Sequence, residues 1–409
     1  MNKPDATYQY ANRAKVPDEQ TRDHLQCLDE LLYREWALGR NLILVWTPHA
    51  DAIDVMVVPH YAISDFARKE KTEADLESGL ALGLKSQSFI EDVIASGKQV
   101  TVEGINHLSR EMGIEPTRLE LPFKPGVDLD CSLIEDAIGK YSISYVEDRA
   151  VALFDIVGFS LFSPLEQVTQ LNSLSFSFNS AYARMLAKSL DISFARSTTG
   201  DGFYIWNRDR SVQANINLYH FMHLVLADNA IARSKSSANT TPQVRVSFHV
   251  GGHYEFYQSE ALSPTVYSYI VGDVTIELAR MIDRALPGQV LLGDFKVPMP
   301  DLTTGLNERI DTVEFIERTQ KTLSKLDGID LSGDEISDIR CYLTGDKTGD
   351  GDQDFAIRRY RIVDKHGLAR HVYNAKINIY RTDADPIFLG RQTSELKGFK
   401  YESSDFKID

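Results

Sequence analysis

V-A-L-F-D-I-V-G-F-S at Val151–Ser160 and T-T-G-D-G-F at Thr198–Phe203 are the two stretches whose reading decides the fold. The first begins as a short apolar run, as a buried strand does, and Asp155 interrupts it where such a strand should end. Gly158 and a Ser/Pro break follow. The next segment, Leu165 to Leu190, has the period of one long amphipathic helix. A second strand, Ile192 to Arg196, leads into Thr-Thr-Gly-Asp-Gly, a hairpin signal with Asp201 at its tip. Two strands joined by a helical crossover are expected side by side, with their carboxylates together. Strand-end aspartates and Asp-Gly turns are ordinary features of many folds. A carboxylate pair with glycine beside each member is also what a hard divalent cation carrying a triphosphate requires.

Further along, V-G-D-V-T-I-E-L-A-R-M-I-D (Val271–Asp283) has helical period after its Gly-Asp start. Taken in order, the three motifs resemble the catalytic domain of class III nucleotidyl cyclases over Tyr145 to Asp294. The resemblance implies an α+β, ferredoxin-like domain of βααβ-βαβ order with a mixed sheet. It implies two divalent ions, Mg²⁺ or Mn²⁺, held by Asp155, Asp201 and the backbone carbonyl of Ile156. It places Arg280 at the family's transition-state arginine, supplied from the second protomer of a head-to-tail homodimer with shared active sites.

The departures carry the substrate expectation. Adenylate cyclases read their base with a Lys and an Asp at the positions of Ser197 and Tyr269, and the Glu and Cys of guanylate cyclases are absent too. The family's Asn four residues before the arginine is Ile276. Losing a hydrogen-bonding pair costs base discrimination, because unmatched buried polar groups are penalised. A bulky Tyr269, with Phe194 as a second wall, suits a smaller base. Arg196 donates only and matches the carbonyl oxygens of uracil, whereas Ser197 can donate or accept. The pattern is similar to the Pycsar antiphage pyrimidine cyclases, which implies UTP, or CTP as the alternative, converted to a cyclic nucleotide that reaches a separate effector. An atypical adenylate cyclase and a catalytically inactive nucleotide-binding regulator are the rival readings.

The chain of 409 residues is long enough for two or three domains. With 43% hydrophobic and 25% charged residues its composition is globular, and its net charge of −15 disfavours nucleic acid and anionic membranes. Three scattered cysteines form no metal motif and suit a reducing cytoplasm. The polar start and the lack of any apolar run of ~18 residues argue against export or a membrane span.

Residues 1–130 are expected to form an N-terminal α+β accessory domain. It has a helix at Thr21–Leu38, strands at Asn41–Trp46 and Ala52–Pro59, a helix at Ser88–Ser96 and a strand at Gln99–Val102, an order that weakly resembles a GAF-type module. Residues 131–144 read as a linker helix, 145–300 as the cyclase domain and 301–409 as a C-terminal α+β accessory domain resembling the sensor found beside antiphage nucleotide cyclases. Gly345–Asp354 lacks the glycine and closing Glu of a calcium loop and reads as a solvated acidic turn. The strands around Asp364-Lys365-His366-Gly367 read as a hairpin. Lys365 or Lys376 offers an alternative triphosphate contact, against the plainer reading of solvent-facing strand lysines.

Overall fold

The computed structural model describes residues 18–66, 89–236, 239–259, 266–300, 306–347 and 355–406. Its described residues fall into two compact units, one within Ala14–Val146 and Tyr254–Val271, the other within Glu147–His253 and Gly272–Asp409.

In the first unit, helix α1 (Glu19–Trp36) starts where the Asp18 carboxylate accepts the Thr21 amide at 2.7 Å, and it buries Leu28, Leu32 and Trp36, one stripe at helical spacing. Strands β1 (Asn41–His49) and β2 (Ala52–Pro59) form an antiparallel hairpin. Helices α2 (Phe89–Ala95) and α3 (Val102–Met112) follow, and β3 (Thr117–Glu120) then joins the free edge of β2. Helix α4 (Cys131–Gly139) completes the segment, capped by Asp130. The expected strand at Gln99–Val102 is corrected here. Only Gln99 bridges to Trp46, and Val102 opens α3. The Thr101 hydroxyl accepts the Gly104 amide at 3.1 Å, so a good N-cap outweighs the β propensity of the flanking valines. Glu135 on α4 accepts both the Trp46 indole N–H and the Lys98 amide at 2.7 Å. The unit also contains the pairing of Tyr254–Ser259 with Val266–Val271.

The second unit is built on a mixed sheet. Its strands are β4 (Ile143–Ile156, entering from the first unit), β5 (Phe194–Thr198), β6 (Gly202–Asn207), β7 (Val244–Ser259) and, past β8 (Val266–Val271), β9 (Val290–Gly293). Helices α5 (Pro164–Ala187), α6 (Val212–Lys235) and α7 (Asp273–Arg284) intervene. After the separate ribbon β10 (Lys296–Pro300) and β11 (Asn307–Asp311) come helix α8 (Thr312–Leu323), then β12 (Ile329–Leu331), β13 (Asp334–Leu343) and β14 (Gly345–Lys347). The long hairpin β15 (Phe355–Val363) and β16 (Ala369–Arg381) follows, with β17 (Ile387–Gly390) and β18 (Ser403–Phe406). The sheet order is β12-β13-β16-β9-β7-β4-β6-β5, and β7 and β9 run parallel.

Strand alternation divides the two faces. Ala150, Ala152, Phe154 and Ile156 of β4 pack with Leu174, Phe178, Ala181 and Met185 of α5 and with the apolar residues of α6. Helix α6 is enclosed on nearly every side. Its His220 and His223 are fully buried, and burial pushes their pKa values down to about 3 and about 4, so both are neutral.

Of the linker helix expected over 131–144, Cys131–Gly139 forms as α4 while Ile143 already opens β4, and the helix expected after the Gly-Asp start of Val271–Asp283 forms as α7. The segment 348–354 of the acidic Gly345–Asp354 stretch lies outside the described residues. Strands from both sides of residue 300, the boundary expected for a C-terminal domain, share one sheet. Strand β16 pairs with β9, and Ile310, Ile316, Ile336, Ile377 and Ile379 belong to the same core as β4 and α5. A buried polar chain ties this junction. Gln289 Nε2 donates to Asn374 Oδ1 at 2.9 Å, and Asn374 Nδ2 donates to Thr344 Oγ1 and to the Arg391 carbonyl, both at 2.7 Å. Gln289 and Asn374 are both fully buried. Removing Asn374 leaves buried donors and acceptors unmatched, so Asn374→Ala should lower the stability of this unit by about 2–4 kcal/mol. Thermal unfolding followed by circular dichroism should show the signals of 147–253 and 272–409 lost in one shifted transition. A separate early transition for residues beyond 300 would show that the junction does not couple them.

Candidate active site

The site is assembled where β4 ends and β6 begins. In the β4–β6 register Asp155 faces Gly202, and the Ile156 amide donates to the Asp201 carbonyl at 2.9 Å. The neighbour of β4 is β6, not β5. The crossover through α5 leads to the sheet edge, and the T-T-G-D-G turn brings the chain back beside β4. This corrects the expected side-by-side pairing while keeping its consequence, since Asp155 and Asp201 interact through their charges. Glycine is required at 202, where a Cβ would stand 2.0 Å from the Phe154 carbonyl oxygen. Gly200 has φ +101°, a conformation that favours glycine, and the Thr199 amide closes the turn onto the Gly202 carbonyl at 3.0 Å.

Asp155 is only 6% exposed. Burial pushes its carboxyl above the ordinary aspartate value. The Arg245 guanidinium works against that shift, and the negative charges of Asp201 and Asp283 add to it. Arg245 Nε donates to Asp155 Oδ2 at 2.6 Å, and its Nη1 donates to the Ala285 carbonyl at 2.9 Å. Arg245 and Asp283 are the residues that motif reading alone did not assign. Arg245 had a signal in the sequence: it fills the position between Val244 and Val246 in the apolar alternation Val244, Val246, Phe248, Val250, so it faces away from the core on a central strand.

The donors fit a hard divalent cation. Asp155 and Asp201 would supply carboxylate oxygens and Ile156 a backbone carbonyl where β4 ends, an all-oxygen set. Among the described residues no three His, Cys, Asp or Glu side chains form a metal-holding group. A cation held by this pair therefore needs oxygen ligands from water or from a phosphate-bearing substrate.

The remaining expected residues are distributed as follows. Ser197 stands opposite Tyr204 in the β5–β6 register, and Leu153 stands opposite Tyr204 in β4–β6, which puts Ser197 on the sheet face that carries Asp155. Tyr204 donates its hydroxyl to the Thr275 carbonyl of α7 at 3.1 Å, so α7 lies on that face. Arg196 alternates to the other face and sets its guanidinium over the Phe203 ring at 5.6 Å. Phe194 is committed to the core, stacked on Phe221 at 5.0 Å and edge-on to Tyr182. Neither residue is placed as the sequence reading expected for a base pocket beside Ser197, and the reason is the two-residue period of β5. Tyr269 lies in the first unit, stacked on Phe256 at 5.6 Å and 36% exposed. Ile276 is exposed on α7. Among the described residues no hydrogen bond or ion pair links Arg280 to either aspartate; its partner is Asp364, 3.3 Å from Nε. Lys365 is exposed in the hairpin turn, and Lys376 lies 4.0 Å from Glu395.

The raised Asp155 pKa gives a signed pH dependence. A carboxyl whose folded pKa lies above its unfolded value adds stability at low pH, and that contribution is lost as pH rises through the folded pKa. Asp155→Asn mimics the protonated form. Without divalent metal, the melting temperature of the wild type relative to Asp155→Asn should therefore fall as pH rises from 4 to 8. A gap that stays constant or grows in favour of the wild type would mean that Arg245 more than offsets burial.

No family model and no curated protein matches this chain. Among the described residues no helix is long and apolar enough to cross a membrane. The solved structures it resembles include nucleotidyl cyclases. The adenylyl cyclase CyaB from P. aeruginosa is 10% identical, with 60% of this chain and 97% of that one covered, at a TM-score of 0.33. The guanylyl cyclase Cya2 is 10% identical over 57% and 92%, at 0.30. The guanylate cyclase domain of RhGC from Catenaria anguillulae, in complex with GTP, is 14% identical over 40% and 94%, at 0.29. Likeness at this level decides neither the fold nor the activity.

Proposed function

We propose that this chain is a nucleotidyl cyclase whose substrate is a pyrimidine nucleoside triphosphate, UTP or CTP. The observation that carries the reading is the placement of Asp155 and Asp201 at one strand end, locked by the Ile156–Asp201 backbone bond. In the reaction the ribose 3′-oxygen attacks the α-phosphorus, the bond from that phosphorus to the bridging oxygen breaks, and pyrophosphate leaves. Divalent ions, Mg²⁺ or Mn²⁺, would supply the positive charge that makes the 3′-hydroxyl more acidic and offsets charge on the triphosphate. Asp155, Asp201 and the Ile156 carbonyl would hold them. The net charge of −15 makes such local offset necessary for a polyphosphate ligand.

Arg280 would stabilise charge on the phosphates from across a homodimer, in keeping with the absence, among the described residues, of a hydrogen bond or ion pair from it to Asp155 or Asp201. Ser197, on the Asp155 face, is left as the polar group for the base. Arg196 was the residue that favoured uracil. With its guanidinium on the opposite face, UTP and CTP stand level, because serine donates or accepts equally well. The physiological reading that accompanies this chemistry is a cytoplasmic antiphage signal, a cyclic pyrimidine nucleotide acting on a separate effector.

One observation favours a second reading, a nucleotide-binding regulator without turnover: Arg245 already pairs with Asp155 at 2.6 Å. Incubating the purified protein with each of the four ribonucleoside triphosphates and Mn²⁺ or Mg²⁺, with products resolved by mass spectrometry, separates the readings. A 3′,5′-cyclic pyrimidine monophosphate and pyrophosphate are expected. Cyclic AMP as the main product would overturn the pyrimidine assignment, and no cyclic product from any nucleotide would favour the regulator.

A further inference from the structure

The polar side of α7 is docked onto the turn of the β15–β16 hairpin. Glu277, Arg280 and Arg284 follow one another at helical spacing, and each has its own partner there. Arg370 Nε lies 2.8 Å from Glu277 Oε1. Arg280 Nε lies 3.3 Å from Asp364 Oδ2, and Arg370 Nη1 reaches the same oxygen at 3.2 Å. Arg284 Nη2 donates to the Val363 carbonyl at 2.5 Å.

The Asp364 carboxylate is itself rigidly held. Its side chain is 5% exposed, and its other oxygen accepts the amides of His366 at 2.8 Å and Leu368 at 3.0 Å. It is thus built into the turn and is not a mobile surface carboxylate. Arg370 bridges Asp364 and Glu277, so two guanidiniums share two carboxylates. Arg280 is therefore oriented without a carboxylate devoted to neutralising it. Its nearest approach to that carboxylate is made through Nε, and among the described residues no hydrogen bond engages Nη1 or Nη2. An arginine whose ion pair is closest at Nε keeps two terminal nitrogens for an anion, the pair that binds two phosphate oxygens together.

We propose that Asp364 is a positioning residue that aims the Arg280 guanidinium at the phosphates of the substrate, which makes the C-terminal hairpin part of the catalytic apparatus. This rests on the reading of Arg280 given above. A guanidinium fixed before the substrate arrives need not be reoriented when charge develops, and misalignment of such a group is felt mainly in turnover.

The test uses the full-length protein with Mn²⁺ and whichever triphosphate it cyclises. Arg280→Ala should lower kcat by about 100-fold or more, the scale for losing one charge-stabilising donor. Asp364→Asn should lower kcat by roughly 10- to 100-fold while KM changes little, because the arginine is present but unaimed. Asp364→Glu should recover part of the loss. Arg284→Gln removes the neighbouring tie to Val363 and serves as the control: it should lower the melting temperature as much as Asp364→Asn yet leave kcat near wild type. Wild-type kcat in Asp364→Asn, with Arg280→Ala inactive, would overturn the positioning role. Equal loss of kcat in Arg284→Gln and Asp364→Asn would make the hairpin contact merely structural and overturn it too. If Asp364→Asn does not fold, Asp364→Glu decides: reduced kcat is expected, and wild-type kcat overturns the proposal. Full activity in Arg280→Ala would instead remove the underlying reading of the arginine.

Discussion

The close approach of β6 to β4 at Gly202 is the constraint on which the site depends. With a Cβ at that position 2.0 Å from the Phe154 carbonyl, no other residue allows the strands to meet as they do. Because they meet, the Ile156 amide reaches the Asp201 carbonyl, and two acidic side chains end beside each other, one of them buried. Two such charges are costly without compensation. Arg245 supplies part of it from a central strand, and a bound cation would supply more.

That electrostatic need explains how the surrounding pieces are placed. The face of the sheet opposite α5 and α6 carries Asp155, Ser197, Tyr204 and Arg245, and α7 is fixed over it by Tyr204 and by the Ser247 hydroxyl, which donates to the Leu278 carbonyl at 3.3 Å. Helix α7 in turn is tied on its outer side to the hairpin through Arg280, Arg284 and Glu277.

Much of this was legible from local pattern. The helix at Asp273–Arg284 and the apolar alternation of β7 follow from periodicity, and the turn at Asp201 follows from its glycines. What local pattern does not carry is which strand becomes whose neighbour. The pairing of β4 with β6 depends on where α5 packs, and the entry of β16 beside β9 joins residues far apart in sequence. The same holds for partners such as Asp364, an ordinary turn aspartate until the fold sets it against Arg280. Arg196 and Ser197 are the opposite case: adjacent residues on a strand face opposite ways, so the two-residue period already separated them. Thr101, a cap hidden between two valines, shows how one hydroxyl redirects a segment that reads as strand.

The most direct measurement of the central claim is a calorimetric titration of Mn²⁺ into the protein with a non-cyclisable UTP analogue present and absent. If Asp155, Asp201 and the Ile156 carbonyl form a cation site completed by substrate oxygens, Mn²⁺ should bind weakly alone and at least ~10-fold more tightly with the nucleotide, by the reciprocity of linked binding. Asp201→Ala should abolish that gain. Nucleotide binding that is independent of Mn²⁺, or a gain that survives Asp201→Ala, would contradict the account.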